Sequence, residues 1–239
     1  MSDDPELKHL LRKTISENKI EGVVETGTYD GLGSTTTVAE AFHASDVTPK
    51  FFYTCDINLS KFKRARKNLT PYPFVNCLWG RSVKLDEAVE FMHGDEMLNH
   101  HEKYPDLFID GVEDPVSFYL DELKRGFMFR KWAVGYYLKM SFYRLFGIAK
   151  YQGEDLLRRL LASHGEARTL VVLDSAGGIG FLEFKVVTEM MKNRRYWLLL
   201  DDIMHIKHYR SFEQIKADPS FRLLGHNASR AWALAQHET

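Results

Sequence analysis

A chain of 239 residues, 44% hydrophobic and 27% charged, is long enough for one large domain and has an ordinary globular make-up. Its formal net charge of −1 gives no reason to expect nucleic acid or a strongly acidic partner. Cys55 and Cys77 are too few for a disulfide framework. Met1-Ser2-Asp3-Asp4-Pro5 lacks the apolar core of a signal peptide and no apolar run is long enough to span a bilayer, so the expectation is a soluble, cytoplasmic protein.

In chain order, Leu7, Leu10, Leu11 and Ile15 recur at helical spacing and predict an opening amphipathic helix. Gly22 to Gly27 reads as a short buried strand ending in a glycine turn, and Ser34 to Phe42 as the helix after it. Phe51 to Asp56 predicts a second strand, Leu59 to Leu69 a basic helix stopped by Pro71, and Phe74 to Trp79 a third strand. A helix over Ser82 to Met92 follows. The alternation then breaks, with one short apolar run, Leu107-Phe108-Ile109-Asp110-Gly111, before a helix capped by Asp114 with Pro115 in its first turn. From Lys124 to Tyr151 aromatic and basic residues interleave without an acid, and a helix over Glu154 to Ser163 leads out.

Strand–helix alternation resumes with Leu170 to Asp174, a helix from Gly177-Gly178 to Met191, Tyr196 to Asp202, and a helix over His205 to Ala217. Phe221 to Leu224 and Ala231 to Ala235 are joined too closely for a crossover helix, so these last strands should be antiparallel. The whole predicts one α/β domain over residues 1–239. It is a Rossmann-like, doubly wound, mostly parallel seven-stranded sheet closed by an antiparallel hairpin, with a helical insertion at about 94–165.

Three features converge on a ligand site. Glu25-Thr26-Gly27-Thr28-Tyr29-Asp30-Gly31-Leu32-Gly33-Ser34 lies between a strand and a helix, where glycines allow sharp bends and the helix start offers free N–H groups. Asp56 ends the second strand, placed to accept both hydroxyls of a ribose. Gly80-Arg81-Ser82 follows the third strand, where an adenine edge could be read. A nicotinamide dinucleotide also uses a glycine turn and a later acid, but the third glycine of that fingerprint is missing and Glu25 would oppose a pyrophosphate. Glycine turns also occur for geometry alone.

In this order the motifs resemble those of class I S-adenosylmethionine-dependent methyltransferases, over Gly22 to Trp79 and Leu170 to Ala235. The resemblance implies that Gly27, Thr28 and Gly31 lie against the methionine part of the cofactor, with Glu25 beneath it and Ser34 also among the cofactor-binding residues. It also implies Asp56 on the ribose and Ser82 near the adenine. The acids Asp174, Asp201 and Asp202, with His205 and His208 a turn further on, resemble the metal-dependent O-methyltransferases of sugars, macrolides and catechols. By that likeness the acids would hold Mg2+ to activate an acceptor hydroxyl, with Asp174 catalytic and His205 the general base. Against it, Asp202 and Asp174 could be caps, and the histidines ordinary polar residues of a helix's first turn.

For the insertion three readings stay open: a lid over the acceptor, a membrane-surface helix within 124–151, or a helical cap packed on the sheet or on a second copy of the chain. The expected acceptor is a hydroxyl on a small molecule, a glycan or a natural product, with no nucleic acid. The alternatives are a nicotinamide-dependent oxidoreductase and a methyltransferase-like module that only binds.

Overall fold

The computed structural model describes residues 3–105, 107–125 and 150–238. Most of the aromatic-basic segment at 124–151, with its lid, membrane and dimer readings, lies outside the described residues.

Seven strands form one sheet: β1 (Gly22–Thr26), β2 (Phe51–Asp56), β3 (Asn76–Trp79), β4 (Thr169–Leu173), β5 (Tyr196–Asp201), β6 (Phe221–Asn227) and β7 (Trp232–His237). Their spatial order is β3-β2-β1-β4-β5-β7-β6. The first five run parallel, and β7 lies antiparallel between β5 and β6. This is the Rossmann-like, doubly wound sheet with a closing hairpin that the alternation predicts.

The central strands are apolar on both faces because both faces are covered. Successive side chains of a strand point to opposite sides, so one sequence feeds two cores. On one side Val23, Phe52, Leu170, Val172, Trp197 and Leu199 pack with helices α1 (Pro5–Asn18) and α2 (Ser34–Ala44). On the other, Val24, Val171, Leu173, Leu198 and Leu200 share a core with residues of five further helices. These are α4 (Leu85–Gly94), α6 (Pro115–Arg125), α7 (Leu156–Ser163), α8 (Gly180–Met191) and α9 (Tyr209–Ala217). Helix α3 (Leu59–Asn68) covers β2 and β3, and the short α5 (Glu96–Asn99) follows α4.

Local chemistry sets the helix ends. Asp4 caps α1, its Oδ1 accepting from the Glu6 and Leu7 N–H groups, while its Oδ2 accepts from the buried Trp232 indole at 2.7 Å. Asn58 caps α3 in the same way, and Asp114 caps α6 through the Ser117 N–H.

Some predicted bounds move. The helix expected from Ser82 begins at Leu85, leaving Ser82 in the loop after β3. The helix expected from His205 begins at Tyr209, because residues 205–208 form tight turns closed by the His208 N–H on the His205 carbonyl. Both terminal strands are longer than predicted, with an irregularity between Leu223 and Gly225.

The placement that matters for function is the reversal at β1. Chain order runs outward through β2 and β3 on one side and through β4 and β5 on the other. The helices that follow β1 and β4 therefore pack on opposite faces of the sheet, and a crevice opens at the carboxyl ends of the strands. Among the described residues no helix is long and apolar enough to cross a membrane.

Candidate active site

The crevice has a volume of about 500 Å³ and is walled by Gly27, Asp56, Ser82, Leu85, Leu123 and Asp174, among others. Gly27 is at its base with φ of +83°, and a Cβ there would lie 2.0 Å from the Asp174 carbonyl oxygen. Only glycine lets the β1 and β4 loops approach so closely. Asp56 stands at the end of β2. Its Oδ2 accepts from the Tyr29 N–H at 2.8 Å and its Oδ1 from the Asn58 N–H at 2.6 Å. These bonds fix the carboxylate plane and leave further lone pairs toward the crevice. Burial pushes the Asp56 carboxyl up to about 6, against the pull of those two N–H groups and the Lys61 charge. Lys61 itself sits 3.1 Å over the Tyr29 ring at the rim.

The other expected cofactor residues divide. Ser82 lines the crevice, whereas Glu25, Thr28, Gly31 and Ser34 do not. Glu25 is fully buried beneath the first turn of α2, where its Oε2 accepts from the Thr35 hydroxyl at 2.7 Å. Desolvation raises its carboxyl to about 7. The Thr28 hydroxyl pairs with that of Thr54 at 2.5 Å. Gly31, at φ of +80°, is packed beneath Leu69. Ser34, the first residue of α2, donates to Asp174 Oδ2 at 2.7 Å.

The described part of the insertion shapes one wall. Arg81, nearly buried, pairs with Glu154 at 2.6 Å and donates to the Leu123 carbonyl, joining the β3 loop to α6 and to the approach to α7. Glu122 and Leu123 thereby face the crevice.

Asp174, Asp201 and Asp202 do converge: one carboxylate oxygen from each lies within 4.8 Å of the others. The cation held among them is a side chain. Lys207 Nζ is 2.9 Å from Asp174 Oδ1 and 2.8 Å from Asp202 Oδ2. Burial and the neighbouring Asp174 raise the Asp201 carboxyl, while the paired Asp174 and Asp202 hold the Lys207 ammonium charged despite its own burial.

Beyond the loop at 174–179 lies a second polar group. His205 Nε2 is 3.1 Å from Asp110 Oδ2, and the Tyr119 hydroxyl is 3.4 Å from both. His205 Nδ1 accepts the Lys207 backbone N–H at 3.0 Å, so the neutral ring carries its proton on Nε2 and gives it to Asp110. Burial lowers the His205 pKa, keeping the ring neutral. The Asp110 side chain is 44% exposed, and Phe108 and Phe118 beside it are exposed too. Gly177 links this group to the crevice loop, since a Cβ there would meet His205 and Tyr119 at 2.7 Å. His208 is fully buried, with its Nδ1 3.3 Å from the Ser211 hydroxyl.

Sequence reasoning missed Lys207, Asp110 and Tyr119. Asp110 was findable: it closes the apolar run Leu107-Phe108-Ile109 just as Asp56, Asp174 and Asp201 close theirs. Lys207 gave no signal, because a lysine between two histidines looks like any solvated helix residue.

No family model and no curated protein matches this chain. Solved structures align with it along nearly its whole length. The O-methyltransferase from Bacillus cereus in complex with SAH is 11% identical, with 99% of this chain and 82% of that one covered and a TM-score of 0.48. The O-methyltransferase TomG from Streptomyces achromogenes, involved in tomaymycin synthesis and in complex with SAM, is 12% identical, with 98% and 80% covered and a TM-score of 0.47. The SAH-bound methyltransferase from Podospora anserina is 9% identical, with 97% and 78% covered and a TM-score of 0.46. What defines the fold of this chain is its own strand order and register.

Proposed function

We propose that this chain is an S-adenosylmethionine-dependent methyltransferase that modifies a hydroxyl of a small molecule, a sugar or a natural product. The observation that carries the reading is Asp56, fixed by two backbone N–H groups at the end of β2, across a crevice of about 500 Å³ from Gly27 and Asp174 at the reversal of the sheet. A carboxylate so placed suits a ribose diol, which donates two hydrogen bonds to it. The crevice wall of Val83, Leu85 and Ala88 beside Ser82 suits an adenine ring: an apolar slot with one polar edge. Asp174, also on the crevice wall and already paired with Lys207, offers remaining lone pairs to the polar groups of the cofactor.

When bound, the cofactor supplies an electrophilic methyl group on a sulfonium. The chain's part is to hold, orient and deprotonate. An acceptor hydroxyl must lose its proton as the new O–C bond forms, and Asp110 is the group we assign to take it. His205 Nε2–H and the Tyr119 hydroxyl orient that carboxylate, so His205 acts through Asp110. Exposed Phe108 and Phe118 give the acceptor side apolar faces suited to a ring.

Calorimetric titration of S-adenosylhomocysteine tests the reading. Micromolar binding to the wild type, weakened at least tenfold in Asp56→Ala with the fold intact by circular dichroism, is the expected result. No binding, or binding of a nicotinamide dinucleotide instead, overturns it.

A further inference from the structure

We infer that the Lys207 ammonium stands permanently where a divalent cation would otherwise sit among Asp174, Asp201 and Asp202, so that this acid cluster is complete without a metal ion. Its catalytic consequence rests on the reading above; its structural content does not.

A Mg2+ ion binds carboxylate oxygens at about 2.0–2.1 Å and would have to stand between the acids. That space holds Lys207 Nζ, at 2.9 Å from Asp174 and 2.8 Å from Asp202. An ammonium and a dication cannot share it, since both are positive and both need the same oxygens. Both oxygens of Asp174 are already engaged, one by the Lys207 ammonium and the other by the Ser34 hydroxyl, so an arriving ion would compete with those bonds.

Lys207 cannot step aside. The residue is 5% exposed, between Ile206 and His208, which are buried as well. Its stem runs across Gly180 at the start of α8, where a Cβ would lie 2.5 Å from Lys207 Cγ and 2.6 Å from the Lys207 carbonyl oxygen. The lysine thus fills the volume that a side chain at position 180 would take. A surface lysine swings away from an arriving metal; this one would have to leave its charge buried without a partner.

The geometry also gives Lys207 a positioning role. Asp174 lines the crevice, and its carboxylate is pinned between the Lys207 ammonium and the Ser34 hydroxyl. Lys207 also presents its backbone N–H to His205 Nδ1, which sets the tautomer that faces Asp110. One residue therefore steadies the acid at the crevice and the histidine on the acceptor side.

The test is uptake of Mn2+ by the full chain, read from the loss of the free-ion electron paramagnetic resonance signal. The wild type should leave Mn2+ free into the millimolar range, with its melting temperature unmoved by the ion. Lys207→Gln, which removes the charge and ends one atom short of the ammonium, should take up one Mn2+ per chain and melt higher with Mn2+ than without. Adding Asp202→Asn should abolish that uptake. Stoichiometric uptake by the wild type that Asp202→Asn removes would overturn the inference, as would a folded Lys207→Gln that binds none. Should Lys207→Gln fold only with Mn2+ present, the ion is replacing the lysine and the inference stands; should it fail to fold even with Mn2+, uptake by the wild type decides, none supporting the inference and stoichiometric uptake overturning it. Neither readout involves S-adenosylhomocysteine, so failure of cofactor binding leaves this result intact.

Discussion

Replacing Gly27 with alanine sets the geometry of the crevice base against experiment. The residue sits at φ of +83°, a left-handed conformation that costs an L-residue about 1–2 kcal/mol. The new Cβ would also fall 2.0 Å from the Asp174 carbonyl oxygen and 2.6 Å from the Ser175 nitrogen. Both are backbone atoms that no rotamer change can move, so the β1 and β4 loops must separate, adding roughly 1–3 kcal/mol. A total near 3 kcal/mol in a chain of this length lowers the melting temperature by about 6–12 °C. Gly94→Ala is the control: it lies at the exposed end of α4 with nothing within 4 Å of a Cβ, and should shift stability by less than about 0.5 kcal/mol. Thermal unfolding followed by circular dichroism reads both. Because Asp174 and Ser175 wall the crevice, Gly27→Ala should also weaken S-adenosylhomocysteine. A Gly27→Ala protein that melts within about 1 °C of the wild type would refute the close approach of the two loops.

Glu25, raised by burial to about 7, holds a proton in the fold that the unfolded chain has released by its ordinary value of 4.5. That contribution to stability is fully present below pH 4.5 and is lost as pH rises through about 7. Glu25→Gln keeps the shape without the ionisation, so it should match the wild type near pH 4.5 and exceed it by up to roughly 3 kcal/mol at pH 8 in urea unfolding; parallel pH profiles for the two proteins would contradict the buried carboxyl. Asp110→Asn should lower kcat by about 100-fold or more while S-adenosylhomocysteine binds as before. Unchanged turnover would remove Asp110 from the reaction.

Much of the fold was legible because its signals are local. The apolar runs at Val23-Val24, Leu170 to Leu173 and Trp197 to Leu200 read as buried strands, since a strand covered on both faces needs apolar residues at every position. The short link before Ala231 forced the last two strands to be antiparallel. Asp56 was legible for a related reason: an acid at the end of an apolar strand has to emerge at the carboxyl edge of the sheet. Helix starts were less so. Residues 82–84 and 205–208 carry helical spacing but are held in loops and turns by distant partners, Ser82 by the Leu157 N–H and His205 by Asp110.

By itself, then, the sequence determined the alternating elements, the doubly wound sheet and the acids along its carboxyl edge, all properties of near neighbours in the chain. Only the tertiary structure decided what those acids meet. Lys207 joins Asp174 from 33 residues away, and His205 joins Asp110 from 95. An ammonium among carboxylates is set by packing across the sheet, in particular by the absence of a side chain at Gly180. Short-range periodicity carries no trace of such a contact, because its free energy comes from removing both partners from water together.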